Sequence, residues 1–396
     1  MNVLLNAQEA EIQVAVAQFL NAECPPSLIR ELENDYSGFS RPLWERFAAL
    51  GWLTLCLPEE QGGQALPVAY LGLVLEELGR SMAPLPVHST MASALILARH
   101  GNAMQRDLLA KAGSGQLILS FAIAEASGAW DAEAIRLQGK REGNDIVLTG
   151  HKYFVDNFGV SDKCLVAFRD AENQLSIVLV DTSAPGLSVE RLRPADRGDE
   201  CAINFDHVRV PAANVVGKPG AGKQAVDDLM DYAAVLLASQ MQGAARRAME
   251  LAVDYVNQRE AFGQPIGAFQ AMQHMAADML NAVDGVQLLS REALWRLDQG
   301  LPAQAEISQA KSFANGQCVM VCRAAQQMHG GLGFIVDCDI NLWYRRVMSW
   351  SLRCGTTYEH RARIARYLLD APGEVRLDES ISLPAVSANL REEAWS

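Results

Sequence analysis

The spacing of apolar residues changes twice along this chain, and that double change limits its fold more than any other feature. Between about residues 117 and 215 the apolar residues come in runs of strand length. These are Leu117-Ile118-Leu119-Ser120-Phe121-Ala122-Ile123, Ile146-Val147-Leu148, Cys164-Leu165-Val166-Ala167-Phe168, Leu175 to Asp181 and Cys201 to Phe205. Gly, Asn, Asp and Pro punctuate them, and no helical stretch lies between. An antiparallel sheet or barrel is expected there, and a doubly wound sheet is not. On both sides the spacing is helical. Leu28 to Leu50, Val68 to Arg80 and Ser89 to Arg99 precede the β region. After it, Ala225 to Arg259 lacks Pro and repeats apolar residues at three- and four-residue steps, including Leu229, Ala233, Leu236, Met241 and Ala244. Phe269 to Leu297 and Ala303 to Met328 do the same, which predicts a four-helix bundle. The expected class is mostly α with a central β domain. It comprises a helical N-terminal domain (1–116), an antiparallel β-barrel-like middle domain (117–215), a helical C-terminal bundle (223–371) and a polar surface tail (372–396).

Charge and composition then exclude whole classes of function. With 49% hydrophobic and 20% charged residues in 396, the chain can bury a large core and is not disordered. A net charge of -13 argues against nucleic acid or an anionic membrane as partner, since both need clustered Lys and Arg. It leaves room for one phosphorylated ligand held by a few local cations. No apolar run is long enough to span a bilayer, and residues 1–11 carry no leader pattern. The eight cysteines form no C-x-x-C pair and no zinc spacing. Reduced, buried thiols in a cytoplasmic protein are expected, with no metal site.

Four glycine-rich segments are candidates for ligand contact. Gly217 to Gln224 nearly fits a phosphate loop, but Gln224 stands where a magnesium-binding hydroxyl is required, so an interdomain turn is expected. Gly331-Leu332-Gly333 lacks the third Gly of a dinucleotide fingerprint and follows a helix. Arg259-Glu260-Ala261-Phe262-Gly263-Gln264-Pro265 ends one long helix before another begins near Phe269. An Arg beside an aromatic ring at such a junction can pair with phosphate while the ring packs on a flat cofactor. By pattern alone, a capped helix–helix corner is the plainer reading. Gln327-Met328-His329-Gly330-Gly331 is a second such place, where missing side chains let backbone N–H groups approach a ligand, or where a helix simply ends.

Taken in order, these segments and several others resemble the acyl-CoA dehydrogenase family from about Leu57 to Leu369. The matching elements are Leu57-Pro58-Glu59-Glu60-Gln61-Gly62-Gly63, Leu75-Glu76-Glu77-Leu78-Gly79-Arg80, Ala124-Glu125 through Asp131, Gly150-His151-Lys152-Tyr153-Phe154-Val155-Asp156-Asn157, Phe205-Asp206-His207-Val208-Arg209-Val210-Pro211 and the two helix junctions. The resemblance implies FAD between the β domain and the bundle. It also implies α,β-desaturation of an acyl-CoA thioester, with a carboxylate taking the α-proton as the β-hydrogen leaves as hydride to flavin N5. Electrons would pass to an external acceptor such as electron-transfer flavoprotein, in a homodimer or homotetramer. Carried over, Arg259, Phe262, Gln270, Gln327, Gly330 and Gly331 would reach the FAD of a neighbouring subunit. Phe121, Ile123, Ala124, Phe154 and Asp156 would lie along the flavin on the β side, with Thr356 and Tyr358 in the loop after the last junction.

The departures from the family are as informative. The usual base belongs to a Glu-Gly-Thr triplet, and here Cys354-Gly355-Thr356 stands in its place, with Cys354 and Gly355 facing substrate. A second family location for the base, counted back from Arg259, is Ala233, followed by Ala234. Both positions lack a carboxylate. Asp231 is the leading substitute as base and matches an acidic position near CoA, although two residues along a helix is about 200° of rotation. Glu359 is another candidate; Cys354 is a poor base without a stabilised thiolate. Trp130 replaces a small residue facing the ligand, and Asp156 replaces a Thr or Ser beside flavin N5. Such departures occur in branches acting on dicarboxylyl, aromatic or steroid side-chain thioesters, in members with other chemistry such as elimination, and in partner subunits of heteromeric dehydrogenases.

Overall fold

The helices of the N-terminal part begin with local capping and end in tertiary packing. The computed structural model describes residues 4–35 and 38–370; the tail expected from residue 372 lies outside the described residues. Helix α1 (Ala7–Glu23) opens on a capping box between Asn6 and Glu9. It is followed by α2 (Pro26–Leu32) and α3 (Arg41–Ala49). The block from Leu28 to Leu50 is thus two helices. Ser40 restarts the chain by accepting the Leu43 N–H at 3.4 Å, with Pro42 in the first turn. Helices α4 (Val68–Ser81), α5 (Val87–His100), α6 (Ala103–Arg106) and α7 (Leu108–Gly113) complete this part. The free N–H groups opening α4 are capped from afar: the Asp298 carboxylate accepts from Val68 at 2.6 Å and Ala69 at 3.1 Å.

Seven strands form one curled sheet: β1 (Leu119–Ala122), β2 (Gln138–Glu142), β3 (Asp145–Asp156), β4 (Lys163–Arg169), β5 (Leu175–Asp181), β6 (Leu187–Arg191) and β7 (Glu200–Pro211). Their order is β1-β4-β2-β3-β7-β6, with β5 on β4. Strand pairs joined by short connections are antiparallel, as expected (β2–β3, β4–β5, β6–β7). β1 pairs with β4 in parallel, because β1 arrives from the helical part and not through a hairpin. The alternation is legible in the packing. Leu165, Ile177 and Leu179 face the large helical core, whereas Val166, Val178 and Val180 join Phe205 and Leu148 in a second core.

The chain then enters α8 (Lys223–Gln258), and a two-stranded corner, β8 (Glu260–Ala261) and β9 (Gln264–Pro265), leads to α9 (Gln270–Asp298). Helices α10 (Gln304–Met328), α11 (Ile340–Trp350) and α12 (Thr357–Asp370) follow. α8 lies against α4 at backbone contact. A Cβ on Gly79 would stand 1.9 Å from the Gln240 carbonyl oxygen, and one on Gly243 would stand 1.8 Å from that of Glu76. The segment from Gly217 to Gly222 is a turn, tied to the sheet by the Gly222 N–H on the Leu175 carbonyl at 2.7 Å. Among the described residues, no helix is long and apolar enough to cross a membrane.

Candidate active site

A cleft opens where the end of β3 faces α5, α8 and α11, and the loop after α11 reaches its edge through Arg353 on Asp156. Its β wall is fixed by one buried ion pair. Lys152 is fully buried and donates to the Ile123 carbonyl at 3.0 Å and to Glu125 Oε1 at 2.8 Å. Burial pulls its amine down to about 8, with Glu125 opposing. Burial works against ionisation of Glu125 too, but the Lys152 ammonium prevails and holds that carboxyl below its usual value. Glu125 also accepts the backbone N–H groups of Arg136 and Leu137 at 2.9 Å, which closes the loop carrying Trp130. Phe121, Ile123 and Ala124 are buried along this wall.

Next to it β3 bulges between Lys152 and Val155, and Phe154 adopts a φ of +57°. A left-handed backbone at an aromatic residue is strained and is held here by the Tyr153 N–H on the Ala124 carbonyl at 3.0 Å. Two residues on, Asp156 accepts from Arg353 Nε at 3.2 Å, and Arg353 also pairs with Glu200 on β7. The guanidinium lies 5.9 Å from the centre of the Phe154 ring. Asp156 therefore does not bring an uncompensated charge to the cleft.

The loop after α11 places Cys354-Gly355-Thr356 against α10. The Gly355 carbonyl accepts Asn315 Nδ2 at 3.1 Å, and the Cys354 carbonyl accepts His360 Nε2–H at 2.9 Å. Burial pushes the Cys354 thiol up to about 12, although the buried Lys311 amine works the other way. No thiolate is available there. Glu359 is equally committed: Oε1 accepts the Trp130 N–H at 2.8 Å, and Oε2 accepts the Thr356 N–H at 2.7 Å and its hydroxyl at 2.8 Å. It ties the Trp130 loop to the start of α12.

Asp231 lies away from this loop. α8 runs unbroken through it, and its Oδ1 accepts Arg363 of α12 at 2.6 Å. Burial raises the Asp231 carboxyl, with Arg363 opposing. The adjoining cavity carries both signs of charge: Lys223, Arg363 and Arg366 line it with Asp131, Glu133 and Asp227, beside Trp130. Lys223 pairs with Asp227 and Arg363 with Asp231. On the opposite side of α8, the Ala233 carbonyl meets His88. That side borders a second cavity, whose lining includes His88, Asp156, Asp199, Arg197, Leu237 and Gln240.

The remaining predicted residues gather elsewhere. Arg259, Gln270 and Gln327 are exposed, as are Gly330 and Gly331, where an added Cβ would meet nothing within 4 Å. Phe262 is 93% exposed, with its ring edge-on to that of Phe269 at 6.1 Å between centres. Both corners lie at one end of the bundle, since Tyr255 near the end of α8 stacks on His329 at 4.4 Å. His329 is a packed end-of-helix residue, as its sequence context suggested. This end is about 20 Å along α10 from Asn315, which holds Gly355. Thr356 is half-buried, and Tyr358 is 82% exposed. The structure thus forms two groups, one lining the cleft and one facing outward.

Sequence reasoning missed Arg353, His88 and Lys311. Arg353 carried a signal, because the new acid at Asp156 calls for a cation. His88 and Lys311 carried none, since single polar residues in helical stretches say nothing of what they face.

A cleft with an aromatic, strained strand end on one wall, together with an unobstructed glycine corner beside an exposed Arg and Phe, suits a flat dinucleotide cofactor. The helix–sheet–helix layout around it is that of the proteins the chain matches. The descriptions of the acyl-CoA dehydrogenase N-terminal, middle and C-terminal domains match residues 6–116, 120–208 and 220–369. Cyclohex-1-ene-1-carbonyl-CoA dehydrogenase of Geobacter metallireducens is 32% identical, over 82% of this chain and 88% of its own. Among solved structures, the ChsE4-ChsE5 complex of Mycobacterium tuberculosis matches with a TM-score of 0.88 and 26% identity, covering 94% of this chain and 100% of that one. The Tcur3481-Tcur3483 steroid ACAD matches at 0.85 and 29%, covering 92% and 98%. The chain belongs to the acyl-CoA dehydrogenase family. It is accordingly an oxidoreductase of acyl-CoA thioesters with FAD as cofactor.

Proposed function

We propose that this enzyme desaturates a bulky or polar acyl-CoA thioester between its α and β carbons and passes the electrons to an external acceptor such as electron-transfer flavoprotein. The observation that carries the substrate class is the lining of the inner cavity. Its walls are mixed: His88, Asp156, Asp199 and Arg197 face it beside Phe39, Leu85, Leu237 and Trp350. A straight alkyl chain would strip water from the polar groups without replacing their hydrogen bonds, at a cost of roughly 1–3 kcal/mol per group. A ring system or a chain bearing polar groups suits such walls better. A relative acting on a cyclic thioester and a structural neighbour described as a steroid ACAD support the same direction.

The chain's residues divide the work by position. At the outer cavity Arg366, with Lys223 and Arg363 held by Asp227 and Asp231, is the group offered to a phosphate of CoA, and Trp130 shapes the entrance. Asp231 belongs to this side: its ion pair with Arg363 favours a role in CoA binding over proton abstraction. Phe121, Ile123, Ala124 and Phe154 form the apolar wall against which a flat ring packs and from which water is excluded. Asp156, paired with Arg353, would stand beside the flavin ring when FAD is bound. Cys354, Gly355 and Thr356 pack behind Arg353 on the bundle side, tied to Asn315 and His360. When bound, FAD supplies the two-electron acceptor. Arg259, Phe262, Gln270, Gln327, Gly330 and Gly331 face outward and are positioned to serve the cofactor of a neighbouring subunit. This makes a dimer or a dimer of dimers the expected assembly, in the cytoplasm.

The test is anaerobic titration of the purified yellow protein with butyryl-, octanoyl- and cyclohexanecarbonyl-CoA and a steroid side-chain thioester. Bleaching by the cyclic members and not by octanoyl-CoA is expected, and no bleaching by any member refutes the reading. Asp231→Asn is expected to weaken CoA binding while the bound complex still bleaches. Loss of bleaching at saturating thioester would make Asp231 the base instead.

A second reading is a partner subunit of a heteromeric dehydrogenase. It is favoured by the neutral Cys354 thiol and by Ala233 at the two usual base positions, and by the likeness to a two-chain complex. A flavin-to-chain ratio near one half, with a homologous chain copurifying, would establish it.

A further inference from the structure

We infer that His88, on α5, is the proton acceptor of the proposed desaturation, its imidazole Nδ1 taking the α-proton that a carboxylate takes elsewhere in the family. The inference rests on the dehydrogenase reading and concerns the same cleft. The Ala233 carbonyl can only accept, so His88 Nε2 is the nitrogen that carries hydrogen in their 2.8 Å contact. That fixes the tautomer and leaves Nδ1 with its lone pair. Nδ1 has no hydrogen-bond partner among the described residues, and His88 lines the inner cavity together with Asp156. The ring is otherwise buried, 9% exposed, with Phe121 edge-on at 6.2 Å.

Its location suits the task. The imidazole touches the turn of α8 where Ala233 stands. Burial lowers the imidazole from its ordinary value, so the ring is neutral at pH 7 and able to accept. The carboxylates that share the cavity are engaged: Glu33 by Arg345, Asp196 by the Gly198 N–H and Asp199 by the Gly159 N–H and Arg191. The candidates named from the sequence are occupied or protonated. Cys354 is a buried thiol, Glu359 accepts three hydrogen bonds, Asp231 is held by Arg363 and Asp156 by Arg353.

The step balances. The α C–H bond breaks, its proton passes to Nδ1, and its electron pair becomes the α,β double bond. The β C–H pair leaves as hydride to FAD, which the external acceptor reoxidises. The proton on Nδ1 is released to solvent when product departs.

The test uses the FAD-loaded protein and whichever panel thioester bleaches the wild type. α-Hydrogen exchange with deuterated solvent is followed by mass spectrometry, and thioester binding by calorimetry. His88→Gln keeps a side-chain N–H for the Ala233 carbonyl but removes the base. It is expected to retain FAD and bind thioester within about twofold, while exchange and bleaching slow by roughly 10²–10⁴-fold. His88→Ala with added imidazole is expected to regain at least tenfold of the lost exchange rate. Exchange at the wild-type rate in His88→Gln, or no rescue of a folded, FAD-bearing His88→Ala, overturns the inference and leaves the dehydrogenase reading intact. Absence of bleaching in the wild type with every thioester removes both.

Discussion

Replacing Arg353 by Met is expected to destabilise the cleft more than any surface change, and the size of the effect follows from burial. The Arg353 side chain is 8% exposed and that of Glu200 5%, so removing the cation strands a carboxylate almost wholly out of water. Losing one partner of a buried ion pair costs about 3–5 kcal/mol. Asp156, with a third of its side chain exposed, can rehydrate and adds little. At about 2 °C per kcal/mol, the low end that applies to larger chains, the first thermal transition of the FAD-free protein falls by roughly 6–10 °C. Scanning fluorimetry beside wild type reads this directly. Adding Glu200→Met removes the stranded charge, and since apolar replacements of buried pairs are often neutral or better, the double variant should recover most of the loss. If Arg353→Met alone stays within about 1 kcal/mol of wild type, or if the second substitution restores nothing, the cluster is wet and the reasoning fails.

Other consequences can be read separately. Gly355→Ala is expected to cost about 2–5 kcal/mol, because φ is +100° and the new Cβ would stand 2.4 Å from His360 Nε2; a urea midpoint equal to wild type contradicts it. Burial pulls His360 down to about 3 from 6.5, with the Lys311 amine adding to the effect, so the unfolded chain binds a proton that the fold refuses. Stability from this group is complete above pH 6.5 and is lost as pH falls toward about 3, roughly 2 kcal/mol by pH 5. His360→Gln should flatten that slope in urea titrations at pH 7 and pH 5, and an unchanged slope would assign the acid sensitivity to other groups. Phe262→Ser, at a site 93% exposed, should leave the FAD-free chain's stability within about 0.5 kcal/mol and lower the flavin-to-chain ratio. An unchanged ratio would remove this corner from the cofactor site.

What the sequence revealed depended on whether the signal was local. α4, α5, α8, α9 and α10 lie within two residues of their apolar periodicity, because one face of each is buried over several turns. The strands were legible through alternation and turn residues, yet the parallel β1–β4 pairing was not, since nothing local encodes which edge a strand joins. α1 carries no such periodicity, because its apolar residues are spread around the helix and only Val16 and Leu20 are buried. The break between α2 and α3 was readable in Ser40 and Pro42 but was outweighed by the flanking leucines.

The cleft shows the same division at the level of chemistry. Counting along the chain finds positions, so it correctly reports that Ala233 and Cys354 hold no carboxylate. It cannot report what approaches those positions from other elements. Arg353 changes the meaning of Asp156 from a free charge to half of an ion pair, and Lys311 beneath Cys354 is not enough to make a thiolate against the cost of burial. Asp231 was favoured by proximity in sequence, but helix geometry sends it to Arg363, whereas His88, 145 residues from Ala233, reaches its carbonyl. A base is a lone pair at a point in space with the right protonation state. On the assignment proposed above, a backbone carbonyl on α8 sets that condition by choosing the tautomer of a ring on α5, a relation that no motif within either helix could express.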